Sequence, residues 1–250
     1  MGSTATPVRP CVVGLFAHPD DEAYAAAGTL ARCATEGARV VVVAATRGEA
    51  GVDQRSPTPA GPDLAALRSA ELAESCRAIG AQPPRFLDLP DGHVRVEEGA
   101  SRLAAVLGEL APDVVITLGA DGAYGHPDHL ATTAMLHQVA TCRILHAAFP
   151  RDHFGGVRRR LARHVPLADV GPLGIRRVDA HLVVDVSAHR DQKLAAVAAH
   201  RSQLGSDDPR SFLVPGLIDP LLEEEWFVCA RGPSLPPDPP SIFAGLAMAP

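Results

Sequence analysis

The sequence predicts an α/β protein built on a mostly parallel sheet, and three observations predict it. A continuous apolar run at residues 11–17 and β-branched, mostly apolar stretches at 39–45 and 112–118 suit strands buried on both faces of such a sheet. Helical patterns at 23–34, 64–80 and 99–110 are long enough to serve as crossovers between them. Finally, the first and third of these runs lead into ionisable clusters, His18-Pro19-Asp20-Asp21-Glu22 and His126-Pro127-Asp128-His129. Open parallel sheets carry their working residues at such strand ends.

In chain order, residues 1–10 are small, polar and proline-containing and are expected to be disordered. No basic start leads into an apolar stretch, so no signal peptide is expected. With no run apolar enough to span a membrane, the expected location is the cytoplasm and no membrane partner is expected. Residues 11–250 are expected to form one domain, since 250 residues with 46% hydrophobic and 21% charged composition can bury one sizeable core. A net charge of −6 gives no basic footprint for nucleic acid. The five cysteines are scattered, odd in number and never spaced Cys-x-x-Cys. That usage suggests buried thiols in a reducing compartment.

After the first strand, Pro19 fits a first helical position and the acids a first turn, where they meet the positive end of the helix dipole. On such a turn His18 and Asp21, three apart, lie about 5–6 Å from each other at Cβ and can reach one ion. Asp20 points about 100° away and is left for another task, such as accepting a proton. Service to the helix start alone explains the acids equally well at this point. The strand at 39–45 precedes a loop at 46–63 rich in Gly and Pro, then the helix at 64–80. A short strand at 85–89 ends in the turn sequence Pro90-Asp91-Gly92-His93. The helix at 99–110 leads into the third apolar run, and 130–141 is helical again. Seven arginines crowd residues 151–177; a solvated helix face accounts for them, and an anion-attracting lid or an oligomer interface is the sharper reading. A strand at 180–187, a helix at 188–203, a loop at 205–220 and a last strand at 224–230 complete the chain. The apolar tail at 242–246 is expected to dock on the body.

The second cluster repeats the layout of the first. A strand precedes it, Pro occupies a first turn, and His126 and His129 stand three apart. His18, Asp21 and His129 then form a two-imidazole, one-carboxylate shell with an open position for water, the ligand pattern of a catalytic metal site. Asp20 stands ready as base and His126 as a non-ligand imidazole. A dinucleotide site is disfavoured, because the first strand-to-helix turn lacks Gly-x-Gly-x-x-Gly.

The two clusters, extended as Ala17-His18-Pro19-Asp20-Asp21-Glu22 and Tyr124-Gly125-His126-Pro127-Asp128-His129, resemble the signature motifs of the LmbE-like (PIG-L) family of metal-dependent N-acetylglucosaminyl deacetylases. Thr46-Arg47-Gly48-Glu49, Arg68 with Glu71, and His200-Arg201-Ser202-Gln203 resemble further family motifs. The resemblance implies a three-layer, Rossmann-like sandwich and a zinc-dependent hydrolase that removes an N-acyl group from a small amino-sugar conjugate. The same ligands also accept Fe2+. It implies that Arg68 contacts the sugar, with Arg47 and Glu49 as further candidate substrate contacts. The turn at 90–93 puts Asp88, Asp91 and His93 on the same face, where they can reach substrate hydroxyls, although turn chemistry explains Asp91 and Gly92 equally well. An intrahelical pair with Glu71 is the alternative for Arg68.

In the implied mechanism Asp20 takes a proton from water whose pKa the ion lowers toward ~7. His126, protonated and oriented by Asp128, stabilises the oxyanion and protonates the amine. Tyr124 is expected either to donate a hydrogen bond there or to serve packing alone. Thiol-cofactor biosynthesis and antibiotic tailoring are the pathways the family suggests, and a homo-oligomer is compatible with the sequence. Competing readings are an amidase on a thiol-sugar conjugate, a metal phosphoesterase, which would more often carry bridging carboxylates, and a non-catalytic sugar-binding protein. A non-haem Fe(II) oxygenase shares the ligand pattern but usually sits on a β-rich barrel.

Overall fold

The computed structural model describes residues 9–247. Most of the segment expected to be disordered, residues 1–8, lies outside them. Seven strands form one sheet in the order β3-β2-β1-β4-β5-β7-β6: β1 Cys11–Phe16, β2 Arg39–Ala44, β3 Arg85–Phe86, β4 Val114–Leu118, β5 Arg143–Ala148, β6 Leu182–Asp185 and β7 Glu224–Arg231. The strands β3, β2, β1, β4 and β5 pair in parallel, whereas β7 runs antiparallel to both β5 and β6. The chain steps from β1 to β2 on one side and later to β4 on the other. The carboxyl ends of β1 and β4 therefore flank the crevice where this architecture binds ligands.

Helices cover both faces, which completes the three layers. On one face Val12, Phe16, Val40, Val42 and Ile116 pack beneath α1 Asp21–Ala25, α2 Ala27–Thr35 and α3 Pro62–Ala78. On the other, Val13, Leu15, Val41, Val43 and Val115 meet Leu103 and Leu107 of α4 Val96–Leu110 and Met135 and Leu136 of a later helix. Consecutive strand residues serve opposite cores, so β1 carries no polar side chain between its apolar ones and β4 only the buried Thr117. The remaining helices are α5 Gly122–Gly125, α6 Pro127–Val139, α7 Gly155–Leu161 and α8 Arg190–Ala199.

Several expectations are corrected. Pro19 sits in a turn, and the helix begins at Asp21. The helix expected at 23–34 breaks at Ala26 (φ −153°, ψ 6°), and the cause is tertiary: Glu225 of β7 accepts the Gly28 and Thr29 amides at 2.9 and 2.7 Å, while Lys193 of α8 donates to the Tyr24 carbonyl at 3.0 Å. The strand expected at 85–89 stops at Phe86, because Asp88 turns to φ 52°. The helix expected at 188–203 spans only Arg190–Ala199, with single 3-10 turns on either side. β5 has no counterpart among the expected strands; Arg143 and His146 interrupt its apolar pattern. Arg143 is nevertheless buried, and its guanidinium donates to the carbonyls of Ile242, Ala244 and Pro233, so the tail docks as expected. Of the arginines in 151–177, Arg158 turns inward to the Tyr124 carbonyl at 2.8 Å, and most of the others are exposed. The five cysteines are free thiols, and no helix among the described residues is long and apolar enough to cross a membrane.

Candidate active site

The loop after β1 and the start of α6 bring three lone pairs to one point. His18 Nδ1 lies 3.2 Å from His129 Nε2, Asp21 Oδ2 lies 3.4 Å from His18 Nδ1, and the same oxygen lies 3.3 Å from His129 Nε2. A tetrahedral ion with bonds of about 2.0–2.1 Å sets its ligand atoms about 3.3 Å apart, so the triangle has the edge of such a shell. The second nitrogen of each imidazole faces an acceptor. His129 Nδ1 is 3.0 Å from the Gly122 carbonyl, and His18 Nε2 is 3.1 and 3.2 Å from Asp91 and Asp128. With the N–H groups turned to those acceptors, the two inner nitrogens and Asp21 Oδ2 converge as lone pairs, an arrangement that a proton on His18 or a cation relieves. The His126 nitrogens cluster with those of His18 and His129 as well, and His18 forms a second cluster with Asp91 and Asp128; Asp21 is the carboxylate that meets both His18 and His129.

The electrostatics follow from this crowding. Burial alone would lower the His18 pKa, but hydrogen bonds to Asp128, Asp21 and Asp91 raise it well above the usual imidazole value. Burial would raise Asp21, yet the charges of His129 and His18 and their hydrogen bonds hold it well below the carboxylate range. Tyr24 adds a hydroxyl donor to Asp21 Oδ1 at 2.8 Å. Asp20 behaves oppositely. Burial pushes it up to about 6 against the pull of Arg68, whose Nη2 sits 3.0 Å from Asp20 Oδ2.

Arg68 therefore serves neither an intrahelical pair nor an exposed face. It is buried and also donates to the carbonyls of Gly48 and Pro19. A Cβ at Gly48 would meet its Nη1 at 2.3 Å, so glycine is required for the loop to close over the guanidinium. Arg68, Glu71 and Ser75 share one stripe of α3 and reach Asp20, Ser202 and Glu22 respectively.

His126 stands beside the triangle, its ring 4.8 Å from those of both His18 and His129. The expected orientation by Asp128 is made by its backbone N–H rather than its side chain. The His126 Nδ1 accepts the backbone N–H of Asp128 at 3.2 Å, whereas the Asp128 carboxylate accepts from the Gly92 and Val94 amides. Nδ1 thus carries no proton. Burial, with His129 and His18 adding to it, pulls the His126 pKa down to about 3, so the imidazolium expected from the sequence gives way to a neutral ring with its proton on Nε2. Tyr124 is buried edge-on to His129 and tilted against Phe154.

The remaining expected contacts divide. Arg47 and Asp88 pair with each other at 2.7 Å, Arg47 also lies over Phe86, and His93 is exposed. Glu49 accepts the Asp91 amide at 2.9 Å and so braces a turn. Asp91, expected at substrate hydroxyls or in a turn, instead meets His18 Nε2 at 3.1 Å, and sequence reasoning left Tyr24 and His200 without a role.

Residues 13–140 match the family model described as PIG-L: GlcNAc-PI de-N-acetylase. The chain belongs to the PIG-L family. It is similar to the 1D-myo-inositol 2-acetamido-2-deoxy-alpha-D-glucopyranoside deacetylase of Saccharomonospora viridis, 35% identical over 93% of this chain and 99% of that one. The fold is shared with N,N'-diacetylchitobiose deacetylase from Pyrococcus horikoshii (TM-score 0.63, 23% identity, 87% and 82% of the two chains). It is also shared with a 4-carboxy-2-hydroxymuconate hydratase from Pseudomonas putida (TM-score 0.65, 15% identity, 90% and 97%). Within the PIG-L architecture the fold alone thus leaves the chemistry to the site.

Proposed function

We propose that this PIG-L protein is a metal-dependent N-deacetylase acting on an N-acetylglucosaminyl conjugate, with His18, Asp21 and His129 as ligands of Zn2+ or Fe2+. The observation that carries the reading is the triangle of lone pairs with Asp20 and His126 beside it. When bound, the ion supplies a Lewis acid that polarises the acetamide carbonyl and acidifies water. Asp20 accepts the proton of the attacking water and, with a pKa near neutrality, can hand it to the departing amine. His126 donates its Nε2 proton in a hydrogen bond to the oxygen that gains charge. Arg68 holds the Asp20 carboxylate through Nη2 on Oδ2. The substrate named in the relatives, a 2-acetamido glucoside of inositol, sets the class: an amino sugar whose aglycone carries hydroxyl groups. Exposed Arg47, Asp88 and His93 are the side chains assigned to that aglycone. A phosphoesterase reading is weaker, since the second oxygen of Asp21 is taken by the Tyr24 hydroxyl rather than free to bridge, and Asp91 and Asp128 meet the opposite nitrogen of His18.

The test is release of free amine from a panel of N-acetylglucosamine conjugates by protein stripped of metal and then titrated with Zn2+, or with Fe2+ under anaerobic conditions. Release restored at one equivalent supports the reading. Stoichiometric binding without release from any conjugate removes the substrate class, and failure to bind removes the site.

A further inference from the structure

Asp20 is held against its own backbone preference. Its φ of 119° and ψ of −25° lie where a residue with a Cβ is strained, so the surroundings must impose the conformation. Its N–H donates to Glu22 Oε2 at 3.0 Å, and its carbonyl accepts the Ala23 amide at 3.1 Å. Glu22 itself is wholly buried. Its second oxygen, Oε1, receives Ser75 Oγ at 2.5 Å and His200 Nε2 at 2.6 Å. A buried carboxylate keeps one orientation only where its charge is met, and His200 is the basic side chain that meets it, equally buried.

His200 is anchored independently of Glu22. It follows the last residue of α8, and the turn after it is tied to two other elements. Ser202 donates its N–H and Oγ to the two oxygens of Glu71 at 2.8 and 2.7 Å, and its carbonyl accepts the Gln54 amide at 2.7 Å. The imidazole thus reaches Glu22 from a turn fixed by α3 and by the loop after β2. The chain of contacts runs His200 to Glu22 to the Asp20 amide, with no contact of His200 to the ligand triangle.

We infer that His200 is a positioning residue that acts through Glu22 to fix the backbone, and hence the carboxylate, of Asp20. The inference rests on the deacetylase reading above, in which Asp20 is the base. A reacting group displaced by about 1 Å costs on the order of 100-fold in rate, which sets the expected effect.

The experiment uses the full chain loaded with zinc and the panel conjugate that wild type hydrolyses fastest. His200→Leu should lower kcat about 30- to 100-fold, with KM within about threefold and zinc still bound at one equivalent. His200→Gln, which keeps a donor near the Nε2 position, should recover to within about tenfold of wild type. In an Asp20→Asn background, His200→Leu should lower the residual kcat less than about twofold, because groups that act as a unit are not additive. Equal losses in both backgrounds overturn the inference, as does a His200→Leu kcat equal to wild type. Should His200→Leu fail to fold, His200→Asn, whose amide stops short of Glu22, takes its place in the same cycle: a wild-type kcat or equal losses in both backgrounds overturn, and a loss that vanishes in the Asp20→Asn background supports. If wild type releases no amine from any conjugate, the deacetylase reading falls and takes this inference with it. If wild type is active and the cycle is additive, only this inference falls.

Discussion

Asp20 and Asp21 are neighbours in the chain with opposed environments. Asp21 faces two imidazoles and is held ionised, whereas Asp20 is raised to about 6 by burial that a single arginine only partly offsets. A ligand must stay charged, and a base must exchange its proton, so the two environments suit the two proposed tasks. Asp20→Asn is expected to retain one equivalent of zinc while kcat falls about 10²- to 10⁴-fold; a rate near wild type would remove Asp20 from the mechanism. The sign of the pH dependence follows. Asp20 works deprotonated, so kcat/KM of the zinc-loaded enzyme should rise with pH along an acid limb at or below about 6, the ion's charge pulling it lower, and Asp20→Asn should lack that limb. Asp128 offers a separate test, since its carboxylate fixes the His18 ring through Nε2. Asp128→Asn should weaken zinc affinity about 10- to 100-fold in a chelator competition, and unchanged affinity would show that the ring needs no such brace.

At the scale of elements, the break between α1 and α2 depends on a buried pair from distant strands and helices. Lys193 Nζ meets Glu225 Oε1 at 2.5 Å with both side chains fully enclosed. Glu225 also holds the first amides of α2, and Lys193 a last carbonyl of α1. Removing one partner leaves a buried charge, so Lys193→Met should destabilise by about 3–5 kcal/mol. At about 2–4 °C per kcal/mol for a chain of this size, thermal unfolding should fall by roughly 10 °C. Lys193→Met with Glu225→Gln should recover part of it; a double variant no better than the single would mean the charge is not what costs. No residue near Ala26 announces this break, which is why the sequence reads 23–34 as one helix. The strands with unbroken Val and Ile runs, β1, β2 and β4, are legible because both faces are buried. β5 is hidden by Arg143 and His146, which serve the tail and α6. The same rule divides the site. His18, Asp21 and His129 are legible because spacing along a strand end and a helix start places them. The contacts of Glu22, Asp91 and His200 are not, because each meets a residue 73 to 178 positions away along a path the sequence does not determine.

The whole molecule joins these levels through the sheet, and one pair inside it makes stability respond to pH. His146 of β5 and His137 of α6 meet at 2.9 Å between their Nε2 atoms, so at most one of those nitrogens carries a proton. Burial, with His137 adding to it, pulls His146 down from 6.5 to about 4. Between those values the unfolded chain binds a proton that the folded chain refuses, so stability must rise with pH across the window. The contribution is fully present above about 6.5 and lost as the pH falls toward 4. A shift of this size corresponds to at most about 3 kcal/mol, reduced by the partial exposure of the ring. Metal release also takes up protons on acidification, so the measurement compares two proteins under one set of conditions. Chemical denaturation of zinc-free wild type and His146→Gln between pH 4 and 7.5 should give stability curves that converge toward pH 4, with wild type losing more as the pH falls. Parallel curves would mean that the paired imidazoles do not titrate in this window and that its acid sensitivity lies elsewhere in the fold.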